Sequence, residues 1–260
     1  MIEVQRGDSP LVLGLPHTGT DIPDDVLAGL NDTGRAMADT DWHIHDLYAD
    51  LVADVTTVRT PMHRYVIDVN RDPSGISLYP GQNTTTLCPL TDFDGRAIYH
   101  AGNAPDAAEI MRRTDLYHAP YHAALAAELD RVKARHGFAL LYDCHSIRGD
   151  IPFLFAGRLP DFNIGTNEGQ SCAPEIEAGL HRICTNADGY SNVLNGRFKG
   201  GWTTRHYGRP GEGFHAIQME LAQATYMHEA PPWPYEAARA AALRTHLKTG
   251  LEFLKNWRPR

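Results

Sequence analysis

A chain of 260 residues is long enough for one large α/β domain with a substantial core, or for two small ones. Hydrophobic residues at 42% and charged residues at 22% fit a soluble globular protein and exclude a disordered one. The formal charge of −8, without any tract of Lys and Arg, argues against a nucleic-acid partner. No apolar run is long enough to span a membrane. The first residues, Met1 to Arg6, have neither the basic nor the apolar region of a secretory signal. Cys88, Cys144, Cys172 and Cys184 are widely spaced with no CxxC pair, which predicts reduced thiols in a cytoplasm.

No internal repeat or low-complexity linker interrupts the chain, so residues 1–260 read as a single domain. Leu11 to Leu15 is a short apolar run ended by Pro16, the pattern of a buried strand. After Asp41, the residues Ile44, Leu47, Tyr48, Leu51, Val52 and Val55 recur at helical spacing and predict one helix. Val55 to Val58 and Tyr65 to Val69 are β-branched runs that predict two strands. Residues 70–105 are rich in Gly, Pro, Asn and Thr, an irregular stretch of the kind that carries function. A helical region follows, interrupted near Pro120, and its second half stops at Gly137. Phe138 to Tyr142 predicts a buried strand, Pro174 to about Cys184 a helix, and Asn192 to Asn195 and Phe214 to Leu221 two more strands. A last helix runs from about Tyr235 to Phe253. The class is α/β, a three-layer fold with a mixed, mainly parallel sheet and helices on both faces.

Open α/β sheets place ligands at the carboxyl ends of their strands. Three predicted strands end in residues suited to metal hydrolysis: Pro16-His17-Thr18-Gly19, Asp143-Cys144-His145-Ser146 and Gln218-Met219-Glu220. Two imidazoles and a carboxylate at adjacent strand ends would form an open zinc site. Asp143 is suited to orient His145, since ligand histidines usually donate their other N–H to an oxygen. For the third ligand the spacing leaves Asp41, His45, Asp46 and Asp21 open, and an acid at Asp41 is also suited to cap the following helix. Glu220 shares its strand face with Ala216 and Gln218 and is the candidate general base. Arg64, Asn70-Arg71 and the glycine-rich stretch carrying Arg197, Lys199, Arg205 and Arg209 concentrate positive groups in a net-acidic chain, as an anionic substrate requires.

Taken together, these segments resemble the N-formylglutamate amidohydrolase (N-formylglutamate deformylase) family. The resemblance rests on Pro16-His17-Thr18-Gly19, Asp39-Thr40-Asp41-Trp42-His43 with Leu47-Tyr48, and Asp68-Val69-Asn70-Arg71. It extends through Ser77-Leu78-Tyr79-Pro80-Gly81-Gln82, Asp143 to Arg148, Asn195 to Gly201 and Glu220-Leu221-Ala222-Gln223. It implies hydrolysis of N-formyl-L-glutamate to formate and L-glutamate in histidine degradation, and a fold similar to zinc carboxypeptidases and phosphorylase/hydrolase-like proteins. It implies His17, Asp41 and His145 as zinc ligands, Glu220 as base and Asn70-Arg71 as a carboxylate clamp. Zinc carboxypeptidases place the acidic ligand three residues after the first histidine, where this chain has Thr20, so the acid must come from elsewhere. On this reading Arg64 or Arg148 stabilises the oxyanion, while Asn70, Arg71, Arg197, Lys199 and Arg205 hold the carboxylates of a small anionic substrate. The rival readings are an aspartoacylase-like zinc deacylase for another N-acyl acidic amino acid, and a non-catalytic metal- or amino-acid-binding homologue. Monomer and homodimer are equally open.

Overall fold

The computed structural model describes residues 1–77 and 83–259. Its strands are β1 (Glu3–Gln5), β2 (Leu11–Leu15), β3 (Thr56–Arg59), β4 (Ala139–Ile147), β5 (Phe162–Gly165), β6 (Asn192–Leu194) and β7 (Phe214–Ala222). The α-helices are α1 (Asp24–Gly29), α2 (Asp32–Arg35), α3 (Ile44–Tyr48), α4 (Ala107–Arg113), α5 (Ala119–His136), α6 (Pro174–Thr185), α7 (Trp202–Tyr207) and α8 (Ala237–Asn256). Among the described residues the strands form a seven-stranded sheet in the order β1-β3-β2-β4-β7-β5-β6. β1 runs antiparallel to β3, and β5 antiparallel to β7; the other neighbours are parallel. The central pair is long, with register from Ala139 opposite Phe214 to Ile147 opposite Ala222.

Alternation along the central strands sorts side chains between two cores. On one face Leu11, Leu13, Leu140, Tyr142, Ile217 and Met219 pack against α3, α6 and α8. On the other, Val12, Leu141 and Ala216 pack against α5 through Tyr121, Leu125, Leu129 and Val132. Fully burying each such aliphatic side chain stabilises the fold by about 1.5–3 kcal/mol. Further along β4 and β7, the α5 face receives Asp143, His145, Gln218 and Glu220 in place of apolar residues. Among the described residues no helix is long and apolar enough to cross a membrane. The four cysteines are buried and unpaired.

Three expected elements take a different form. The helix expected from Ile44 to Val55 ends at Tyr48, and Asp50 and Asp54 adopt positive φ of 56° and 61°. Arg244 of α8 takes the carbonyls of Asp46, Leu47 and Ala49, so the helix end is capped from outside and its apolar stripe continues as turns. Tyr65 to Val69 is not a strand. Its backbone is satisfied locally and by side chains: Arg113 and His122 donate to the carbonyls of Val66 and Val69, and the Asp68 N–H donates to Leu87 O. The expected interruption near Pro120 is a single π-helical turn, Thr114–His118, that joins α4 to α5 while Pro120 sits in the first turn of α5.

Gly165 closes β5 against the turn at Lys199 and Gly200. A Cβ there would lie 2.4 Å from the Gly200 backbone nitrogen and 2.8 Å from the Lys199 carbonyl carbon. Gly165→Ala therefore has to push two backbone segments apart, and an expected loss of about 1–3 kcal/mol would be read from the urea unfolding midpoint.

Candidate active site

β4 continues through the Asp-Cys-His-Ser motif instead of ending before it, because β7 pairs with it along its whole length. His145 thus stands on the α5 face directly opposite Glu220, two residues beyond the Asp143–Gln218 pair. His17 follows the end of neighbouring β2, and the Asp41 N–H donates to the His17 carbonyl at 3.1 Å. This bond fastens the Asp41 loop to the strand end. The side chain of Asp41 does not cap α3; it turns inward and accepts the Ser146 N–H at 3.0 Å.

The result is a buried set of ligand-type atoms. One ligand atom each from His17, Asp41 and His145 falls within 4.8 Å of the others. The Asp41 carboxylate lies 3.3 Å from His145 Nδ1 and 3.8 Å from His17 Nδ1. Each imidazole turns its other nitrogen onto a carboxylate: His17 Nε2 on Asp68 at 2.7 Å, His145 Nε2 on Asp143 at 3.1 Å. A carboxylate on Nε2 favours the tautomer that leaves Nδ1 with a free lone pair, the arrangement that serves a metal ligand. Two such nitrogens and one carboxylate oxygen are the donor set of a three-ligand divalent site. Asp46 and Asp21, the other candidate acids, lie elsewhere. Asp46 is exposed and paired with His43 and His45, and the exposed Asp21 bridges to Met62 through its backbone. His45 meets Thr18 Oγ1 at 2.6 Å.

Arg64 sits beneath this set. Its guanidinium donates to Asp68 at 2.8 Å, approaches Asp41 at 3.5 Å, and lies over the Phe93 ring at 4.8 Å. Burial alone would lower the Arg64 pKa, but Asp68 and Asp41 outweigh it and raise it. Burial would raise Asp68, yet Arg71, His17 and Arg64 hold it well below the usual carboxylate range. Asp41 is likewise lowered despite burial, by hydrogen bonding to His145 and by the charges of His17 and Arg64. His145 is raised: burial opposes its charge, but Asp143 and Asp41 prevail. Glu220 differs from the other acids. Burial pushes its pKa up to about 8, with His145 opposing and Asp41 adding to the rise.

A cleft opens above these groups, lined by His17, Arg64, Asn70, Arg71, His145, Arg197, Gln218 and Glu220, with Leu87, Phe93, Ile147, Leu154 and Phe198 as apolar walls. The structure therefore brings Arg64, Asn70, Arg71 and Arg197 to the same space as the histidines. It does not bring Arg148, Lys199 or Arg205 to that lining. Arg148 pairs with Asp94 at 3.1 Å, Lys199 with Glu168 at 2.6 Å, and Arg205 Nε donates to Gly200 O. Arg71 rests on Thr85 and the Asn70 carbonyl. Asn70 Oδ1 accepts the Thr203 N–H, and Asn70 Nδ2 lies 3.2 Å from His145 Nε2. Of the Ser77-to-Gln82 segment, Leu78 to Gln82 lie outside the described residues.

Two contributors were not assigned a role from the sequence. Asp68 holds both His17 and Arg64; its signal was an acid inside the apolar run from Tyr65 to Val69. Gln218 accepts the Gly201 N–H at 2.6 Å and donates to Glu220 at 3.1 Å. Its signal was the shared strand face with Glu220.

Residues 9–227 match the family model described as N-formylglutamate amidohydrolase. An N-formylglutamate deformylase of Pseudomonas aeruginosa is 49% identical over 259 residues, covering 99% of this chain and 97% of the relative. One from Pseudomonas putida is 45% identical over 259 residues, covering 99% and 96%. The crystal structure of an N-formylglutamate amidohydrolase from Ralstonia eutropha JMP134 matches with a TM-score of 0.79 at 24% identity, over 97% of each chain. A crystal structure of a gene product from Agrobacterium tumefaciens matches at 0.64 and 19% identity, over 98% of this chain and 96% of that one. These two structural matches speak to the fold.

The raised pKa of Glu220 has a consequence for stability. Between the ordinary carboxylate pKa and about 8, the folded protein holds a proton on Glu220 that the unfolded chain has released. That contribution is complete at low pH and is lost as pH rises through about 8. In metal-stripped protein, Glu220→Gln is expected to flatten this part of the decline, read as unfolding free energy between pH 5 and pH 8 (roughly the window set by the shift). An unchanged slope would show that Glu220 is ionised throughout.

Proposed function

The chain belongs to the N-formylglutamate amidohydrolase family, and from that premise we propose that it hydrolyses N-formyl-L-glutamate to formate and L-glutamate with the aid of a divalent metal. The observation that carries the reading is the convergence of His17, Asp41 and His145 at the base of the cleft that His17, His145 and Glu220 line. The donors fit a zinc-type ion: two imidazole nitrogens with oriented tautomers, and one carboxylate kept ionised by its neighbours. Such an ion, when bound, acidifies water, polarises the amide carbonyl and favours the ionised form of a nearby carboxylate.

The remaining chemistry belongs to the chain. Ionised Glu220 accepts the proton of the attacking water as its oxygen bonds to the formyl carbon, and passes that proton to the leaving amine nitrogen when the C–N bond breaks. Burial suits Glu220 to both roles, because it brings proton affinity close to the working pH. Gln218 fixes one oxygen of its carboxylate. Arg64 places positive charge at the lining of the cleft, which Arg148 does not reach, so Arg64 is assigned to the developing oxyanion in preference to Arg148. Asn70, Arg71 and Arg197 face the two carboxylates of the substrate. We infer a role in histidine degradation from the family resemblance, and a cytoplasmic location is supported by four cysteines that form no disulfide.

Glu220→Gln is expected to lower kcat by about 10²–10⁴ while zinc content stays at one ion per chain by elemental analysis. Turnover close to the parent rate would remove Glu220 from the role of base. N-acetyl-L-glutamate and N-formyl-L-aspartate, assayed beside N-formyl-L-glutamate, are expected to react more slowly. A preference for the acetyl substrate would move the chain to a different deacylase specificity.

A further inference from the structure

His118 and His122 lie outside the metal cluster, one helical turn apart at the start of α5, so both face the same neighbour. That neighbour is the irregular segment carrying Asn70 and Arg71. His122 Nε2 lies 2.7 Å from the Val69 carbonyl oxygen, and His118 Nε2 lies 3.0 Å from the Arg71 carbonyl oxygen. A carbonyl only accepts, so both Nε2 atoms carry hydrogen and both imidazoles donate. The two bonds bracket Asn70 in the chain. A third hold comes from α7: Trp202 packs against both imidazoles, with ring centroids 5.6 Å from His118 and 4.7 Å from His122, which are themselves 4.5 Å apart. The next residue, Thr203, gives its N–H to Asn70 Oδ1. The Tyr207 hydroxyl lies 3.1 Å from His122 Nδ1 and donates to the His122 carbonyl at 3.2 Å.

The π turn sits at this bracket. It occupies Thr114–His118 and ends on the first of the two histidines. Single π turns within helices frequently mark functional positions, since the extra residue re-aims the side chains that follow. Arg113, just before the turn, donates to the Val66 carbonyl. Side chains from one helical rod thus receive the carbonyls of Val66, Val69 and Arg71. Burial, with His118 adding to the effect, pushes the His122 pKa down to about 3, which keeps the imidazole neutral.

We propose that His118 and His122 are positioning residues for substrate recognition: they set the backbone on both sides of Asn70 and thereby aim the Asn70–Arg71 pair at a carboxylate of the substrate. This rests on the assignment of Asn70 and Arg71 to substrate binding made above. Neither histidine touches the reacting atoms. Loss of either donor lets the clamp shift, and displacements of about 1 Å in such groups cost up to roughly 10²-fold in kcat/KM.

The test compares two substitutions at each histidine on the zinc-loaded protein with N-formyl-L-glutamate. His122→Phe keeps an aromatic ring and removes the donor; His122→Gln keeps an N–H at similar reach. The expected result is a KM raised about tenfold or more in H122F, with the loss falling on KM more than on kcat, zinc content unchanged, and most of the affinity restored in H122Q. His118→Phe and His118→Gln repeat the comparison from the other side of Asn70 should H122F fail to fold. Phe variants with KM within about twofold of the parent, in a protein where Arg71→Ala does raise KM, would overturn the proposal. So would equal losses in the Phe and Gln variants, which would reduce the histidines to packing. Arg71→Ala leaving KM unchanged is a separate failure: it removes the clamp itself and this inference with it.

Discussion

Burying several carboxylates in one place is costly unless each is paired, and this constraint organises the structure around Arg64. Asp41, Asp68, Asp143 and Glu220 are all buried, and Arg64, which meets Asp41 and Asp68, is buried with them. His145 meets Asp143 and Asp41, and His17 meets Asp68. Glu220 is left with the Gln218 amide, and burial keeps a proton on it to about pH 8. The negative excess is therefore balanced by protons on Glu220 and His145, or by a cation between the Nδ1 atoms and Asp41. The charge arrangement and the ligand geometry favour the same occupant.

The same constraint accounts for the irregular backbone nearby. A segment that brings Arg64, Asp68, Asn70 and Arg71 to one cleft within eight residues cannot run as a strand, because a rise of about 3.3 Å per residue would spread Arg64 and Asn70 roughly 20 Å apart and turn Arg71 to the opposite face. It turns instead at His63, Asp68 and Arg71, where N–H groups of Val66, Asn70 and Arg71 find partners within the segment. Its carbonyls depend on Arg113, His118 and His122. The segment is thus held by side chains rather than by a ladder, and its placement is tied to the α4–α5 rod.

This explains what was legible in the sequence. The strand from Leu11 to Leu15, the strand from Phe214, Gly137 after α5 and the helix from Pro174 could be read because local apolar periodicity and turn chemistry decide them. The convergence of the His17, His145 and Glu220 strand ends was readable for the same reason, since strand ends in such sheets gather at one edge. The choice of Asp41 over Asp21 or Asp46 came from family resemblance, because all three acids flank predicted elements and only tertiary packing turns one inward. Tyr65 to Val69 misled because its β-branched residues are buried by loop packing, which leaves the same composition as a strand. Residues 49–55 misled because the helix stop is supplied by Arg244, nearly two hundred residues away. Arg148 and Lys199 shared the composition of a substrate loop, but their pairing with Asp94 and Glu168 is set by tertiary packing that spacing does not reveal.

Metal dependence is tested by formate release from N-formyl-L-glutamate by protein stripped of metal and then titrated with zinc. No release is expected from stripped protein, with recovery that saturates at one zinc per chain and no recovery in His17→Ala or His145→Ala. Full-rate release from stripped protein would contradict this expectation. So would an absence of release when one zinc is bound at His17, Asp41 and His145.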